Sequence, residues 1–163
     1  MNYSDYFVLS DESPSGLKWK VNKGRSKVGD NAITAISGGY YKGRLNQKTV
    51  YAHRIVFALY YGFEPDVVDH IDGDGLNNNP LNLRDGTKAT NNQNRVVFGA
   101  YYHKRDGVFY SSICVNGERY HLGTFKSEIE ARAAYISAKP KFHEFANMER
   151  YKHANLGRLD ASA

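Results

Sequence analysis

Apolar and polar positions alternate through the first fifty residues. In "GLKWKVNKG" and "NAITAISGGYYKGRLNQKTVYA" the apolar side chains fall two apart, as on one face of a half-buried strand. Gly38-Gly39 and Asn46-Gln47 supply the residue types that tight hairpin turns require. The pattern predicts a small antiparallel sheet carrying exposed Lys and Arg. The period then changes: in "HRIVFALYYG", Ile55, Val56, Leu59 and Tyr60 recur at helical spacing and Gly62 is a natural stop, which predicts a helix of about two to three turns. "VVDHI" returns to strand alternation, "GDG" turns the chain, "NLRDGT" brings it back, and Thr87 is placed to cap a helix through "KATNNQNR".

A second unit begins at Gly99. "RDG" and "NGE" are hairpin turns that divide "GAYYHKRDGVFYSSICVNGERYHLGTF" into three strands. Ser127 and Glu130 form a capping box that opens the helix "EIEARAAYISAK". Pro140 is expected to kink or end that helix, with "FHEFANMERY" resuming it. The reading is α+β throughout, with one unit over 1–95, a second over 99–150 and a tail over 151–163.

Composition narrows the classes. A chain of 163 residues holds one ordinary domain or two small ones. Its single cysteine, Cys114, forbids an intrachain disulfide and leaves no thiolate pair, so a reducing compartment is expected and structural zinc is not. No apolar run approaches the ~20 residues of a membrane span, and "MNYSDYFVLSDESPSG" lacks the basic and long apolar regions of a signal peptide, so the expected location is cytoplasmic. Charge is unevenly spread. Residues 1–50 carry +4, residues 51–94 carry −3 and residues 95–163 carry +4. An acidic centre between basic flanks is what solvated faces give, and also what a protein gives that grips a polyanion at both ends of a metal site.

The stretch "VVDHIDGDGLNNNPLNLRDGTKATNNQN" holds the candidate chemistry, because such a density of Asn and Asp needs either solvent or partners. Asp69 precedes His70, Asn82 follows twelve residues after that histidine, and Asn91 nine residues later again. Asp69 and the Asn91 amide oxygen are hard donors suited to Mg²⁺ or Mn²⁺ that keeps most of its waters. His70, next to Asp69 in a strand, should point to the opposite face. Asp72 and Asp74 flank Gly73 where turn chemistry favours Asp.

With these residues in place, the segment from about Gly16 to Arg95, through "LKWKV", "VYAHRIVFALYYG" and "VDHIDGD", resembles the HNH endonucleases, and more closely their phage homing-type branch. The resemblance implies a ββα-metal hairpin and helix, and hydrolysis of double-stranded DNA by a one-metal mechanism that leaves 5′-phosphate and 3′-OH ends. It implies His70 as general base, oriented by Asn82, with Asp69 and Asn91 on the metal. Of the His53-Arg54 pair, His53 suits packing and Arg54 could reach a phosphate. One such site cuts one strand per encounter, so a monomer nicks and a homodimer can cut both.

"GAYYHKRDGVFYSSICVNGERYHLGTF", with "HLGTF" ahead of an acidic, Ala-rich helix and "FAN", looks like an AP2 DNA-binding domain over Gly99 to Asn147. Alternation sends Phe109, Ser111 and Ile113 inward and Tyr110, Ser112 and Cys114 outward, in company with Tyr101, His103, Arg105, Arg119 and His121. Arg, His and Tyr on a sheet face suit the major groove. Tyr110 and Ser112 stand where the family often has Arg, which favours phosphate contact over base readout. The alternative function, from a different class, is a DNA-binding regulator that keeps an HNH scaffold without cutting.

Overall fold

The computed structural model describes residues 2–154. They form an α+β chain of small antiparallel sheets and four helices, divided into two compact units between Thr87 and Lys88. Among these residues no helix is long and apolar enough to cross a membrane.

In the first unit, β1 (Phe7–Leu9) pairs antiparallel with β2 (Leu17–Trp19), setting Phe7 opposite Trp19 with ring centroids 4.8 Å apart. A three-stranded sheet follows, β3 (Ile36–Ser37), β4 (Tyr40–Leu45) and β5 (Lys48–Tyr51). Both of its turns fall where turn chemistry placed them. Gly38 and Gly39 have φ of 63° and 81°, Asn46 and Gln47 of 49° and 66°, the left-handed pairs that match strand twist in two-residue hairpins. The helix α1 (Ala52–Tyr61) ends on Gly62, whose φ of 81° lets its N–H return to the Ala58 carbonyl.

Ile55 and Val56 of α1 are fully buried, against a core that includes Leu17, Leu45, Val68 and Leu83. Each such side chain contributes roughly 1.5–3 kcal/mol of burial. This core fixes the hairpin of β6 (Val67–His70) and β7 (Leu83–Gly86), in which Asp69 pairs with Arg84 and His70 with Leu83. The connection between them closes with a 3-10 turn at Pro80–Asn82, where the Asn79 side chain accepts from the Leu81 N–H.

The second unit opens with α2 (Lys88–Asn94) and continues with β8 (Ala100–His103), β9 (Val108–Val115) and β10 (Glu118–Phe125), ordered β10-β9-β8. The helix α3 (Glu128–Phe142) carries the expected capping box of Ser127 and Glu130. It packs on β9, burying Ile113 and Tyr135. Gly99, at φ 77°, lies so close to Tyr135 that a Cβ there would come within 2.0 Å of the ring. Pro140 does not end α3, which runs on to Phe142. Its missing N–H and its ring both act on the preceding turn, and the helix stops two residues beyond it. A further helix, α4 (Glu149–Ala154), begins ahead of the expected tail, and its Tyr151 is buried in this unit's core. Residues 155–163 of that tail lie outside the described residues.

Candidate active site

Asp69 and His70 are consecutive on β6, and both are 5% exposed. Pleating sends them to different partners. Across the ladder, Arg84 donates from Nε (2.9 Å) and Nη2 (2.7 Å), both to Asp69 Oδ2. His70 turns to the long connection, where its Nε2 lies 3.2 Å from Asn78 Oδ1. Asn78 is itself buried, and its Nδ2 donates to the Ser15 carbonyl (2.9 Å), which fixes the amide so that oxygen faces the imidazole. An acceptor at Nε2 requires the Nε2–H tautomer in the neutral ring and leaves Nδ1 as the basic nitrogen.

Asn82, expected to orient His70, bonds within the loop. Its Oδ1 accepts from the Asp72 N–H (3.1 Å), and its Nδ2 donates to Asp72 Oδ1 and to the Asn77 carbonyl, both at 2.9 Å. It thereby holds the residue next to Asn78. Asp72 and Asp74 do turn work: Asp72 accepts from the Asp74 N–H and from Asn77 Nδ2, Asp74 from the Leu76 N–H. Burial pushes the Asp72 carboxyl up, but bonds from Asn82, Asn77 and the Asp74 amide, with His70 nearby, hold it below its ordinary value. The loop also presses on the β3–β4 hairpin, where a Cβ on Gly75 would sit 2.3 Å from the Gly39 carbonyl and 2.8 Å from the Tyr40 ring.

His53 completes the cluster. Its ring lies 5.1 Å from that of His70, edge to face, and 5.2 Å from Tyr40. It is buried, and its Nδ1 has no hydrogen-bond partner. Burial, then the neighbouring His70 and Arg54, lower its pKa to about 3, so it is a neutral imidazole. The Arg54 guanidinium is engaged elsewhere, with Nε and Nη2 donating to Glu64 Oε1, Nη2 also to the Pro65 carbonyl and Nη1 to that of Asp66. It braces the turn after α1, and a phosphate would have to displace Glu64.

The Asp69 carboxylate is a hard oxygen donor of the kind a divalent cation takes. This buried carboxylate is already held by the Arg84 guanidinium, and no three His, Cys, Asp or Glu side chains gather as ligands among the described residues. Asn91 lies exposed on α2, in the second unit.

On the second unit's sheet, the register places Tyr101 opposite Tyr110, Ser112 opposite His121 and Cys114 opposite Arg119, so these residues share a face, with His103 two along from Tyr101. The Tyr101 and Tyr110 rings stack at 5.3 Å, and those of Tyr110 and His121 at 6.4 Å. Arg105 is in the turn beyond β8 and almost fully exposed. Ser112 departs from the expected open face: it is buried, in a cleft of about 510 Å³ that Gln93, Arg119, Lys139 and His143 also line.

Sequence reasoning missed Asn78 and Arg84. Asn78 is the middle of three consecutive asparagines with no spacing to single it out, and Arg84 acquires its meaning only from strand register. Residues 50–93, which contain Asp69, His70, Asn82 and Asn91, match the family model described as HNH endonuclease. No curated protein and no solved structure matches the chain.

Proposed function

We propose that this chain is a metal-dependent DNA endonuclease of the phage homing type, with its catalytic residues in the first unit and at α2 and an AP2-like DNA-binding module after them. The observation that carries the reading is the pair Asp69 and His70. They are adjacent on one strand, both buried, each held by a dedicated partner, and both inside the segment that matches the nuclease family.

In this reading His70 Nδ1 takes a proton from the attacking water while Asn78 accepts from Nε2–H, so positive charge on the ring strengthens the bond that orients it. Water oxygen bonds to phosphorus, the bond from phosphorus to the 3′ oxygen breaks, and the departing oxygen is protonated from solvent. Asp69 and Asn91 would hold Mg²⁺ or Mn²⁺, which when bound supplies charge against the phosphate oxygens. Asn82 keeps the loop in the shape that presents Asn78. For the second unit, support comes from the shared face of Tyr101, His103, Tyr110, Arg119 and His121, where stacked rings and a guanidinium suit phosphate and groove contact.

Digesting a mixed library of duplex DNA and sequencing the ends tests the reaction. The expected ends carry 5′-phosphate and 3′-OH at recurrent sites. Ends bearing 3′-phosphate would contradict the proposed bond cleavage, and an absence of ends in Mg²⁺ and Mn²⁺ would favour a binding protein that does not cut.

A further inference from the structure

We propose that Arg84 is a latch on the metal ligand: its guanidinium neutralises Asp69 in the metal-free protein and gives up that carboxylate oxygen when a divalent cation binds. The inference rests on the reading of Asp69 as a ligand. It begins from the geometry of the pair. Strand register sets Arg84 directly across from Asp69, and both donors, Nε and Nη2, converge on the single oxygen Oδ2. A guanidinium can instead take both carboxylate oxygens with two parallel bonds, and this contact is not of that kind.

Asp69 is 5% exposed, and a carboxylate that far from water is stabilised by an ion-pair partner. Arg84 supplies one from a side chain that is itself 22% exposed, so its long stem can carry the charged head outward without leaving a buried charge behind. A divalent cation on the same carboxylate meets the guanidinium at ion-pair distance, where two positive charges repel strongly. The cation therefore binds against a resident competitor. The exchange keeps Asp69 partnered in both states.

Two opposite effects of one substitution follow. Removing the guanidinium should weaken the metal-free fold and strengthen metal binding, whereas a plain structural strut would weaken both. The test uses the full chain at pH 8, with thermal unfolding in EDTA and calorimetric titration with Mn²⁺ for wild type, Arg84→Met, Arg84→Lys and Asp69→Asn. Arg84→Met is expected to melt lower than wild type in EDTA and to bind Mn²⁺ about tenfold more tightly, with Arg84→Lys between the two. Should Arg84→Met fail to fold, Arg84→Lys must still bind Mn²⁺ more tightly than wild type. Affinity equal to or below wild type in the folded Arg84 variants, with binding lost in Asp69→Asn, overturns the latch and leaves the ligand standing. Mn²⁺ binding that survives Asp69→Asn overturns the ligand and the latch together.

Discussion

His53 is a buried imidazole with an unpartnered Nδ1, packed on His70 and Tyr40 and held neutral with a pKa of about 3. Its folded pKa is depressed below the ordinary 6.5, so its contribution to stability is complete above that value and is lost as pH falls towards 3. The slope approaches about 1.4 kcal/mol per pH unit for one proton. Denaturant titrations between pH 7 and pH 4 are expected to show wild type losing stability faster than His53→Phe, and parallel curves would remove His53 as the source. Asn78 acts on the neighbouring ring: Asn78→Leu removes both the acceptor for His70 and the donor to Ser15, and cleavage is expected to fall about tenfold to a hundredfold. Undiminished cleavage by Asn78→Leu would show that His70 is oriented by something else. At this scale the sequence offers candidates where spacing carries the information. Asp69, His70, Asn82 and Asn91 stand out by interval and type, and all lie within the family match. Asn78 and Arg84 are not legible, because what distinguishes each is a contact with a residue far along the chain or across a ladder.

At the scale of elements, turns and alternation are readable because their causes are local. Gly38-Gly39, Asn46-Gln47 and Asn116-Gly117 take the left-handed conformations that their hairpins demand, and the capping box at Ser127 opens α3. Pro140 looks like a stop in the sequence, and α3 ends two residues beyond it, at Phe142. Equally hidden is the burial of Lys139, on the turn of α3 facing Tyr135 and Tyr151. Its ammonium lies 5.6 Å and 5.9 Å from those ring centroids and 3.4 Å from the Arg95 carbonyl. Burial, followed by the Arg150 charge, lowers its pKa to about 8. The folded state thus disfavours the charged form, and stability rises as pH climbs from about 8 towards the ordinary lysine value. Lys139→Met keeps the packing and removes the charge. At pH 7 it is expected to stabilise the protein by about 1 to 2 kcal/mol, read from the urea midpoint. A clear loss would show that the ammonium's bonds outweigh its desolvation.

For the whole molecule, the basic flanks and acidic centre visible in the sequence agree with a division between grip and chemistry. Arg105 and Arg119, in the β8–β9 turn and on β10, are the cations that test the second unit's share. Arg119→Ala and Arg105→Ala are each expected to weaken DNA binding. A phosphate contact lowers the salt slope by about one and weakens all sequences alike, while a base contact costs about 1 to 3 kcal/mol at one site position. Unchanged affinity and slope in both variants would remove this face from DNA. The central claim, hydrolysis at the Asp69–His70 pair, is tested most directly on supercoiled plasmid. Wild type in Mg²⁺ is expected to convert it to nicked or linear DNA and to stop in EDTA. His70→Ala should bind the same DNA in a gel shift while cutting roughly 10² to 10⁴ times more slowly. A wild-type protein that binds plasmid but never cuts it in Mg²⁺ or Mn²⁺, or a His70→Ala protein that cuts as fast as wild type, would contradict the account.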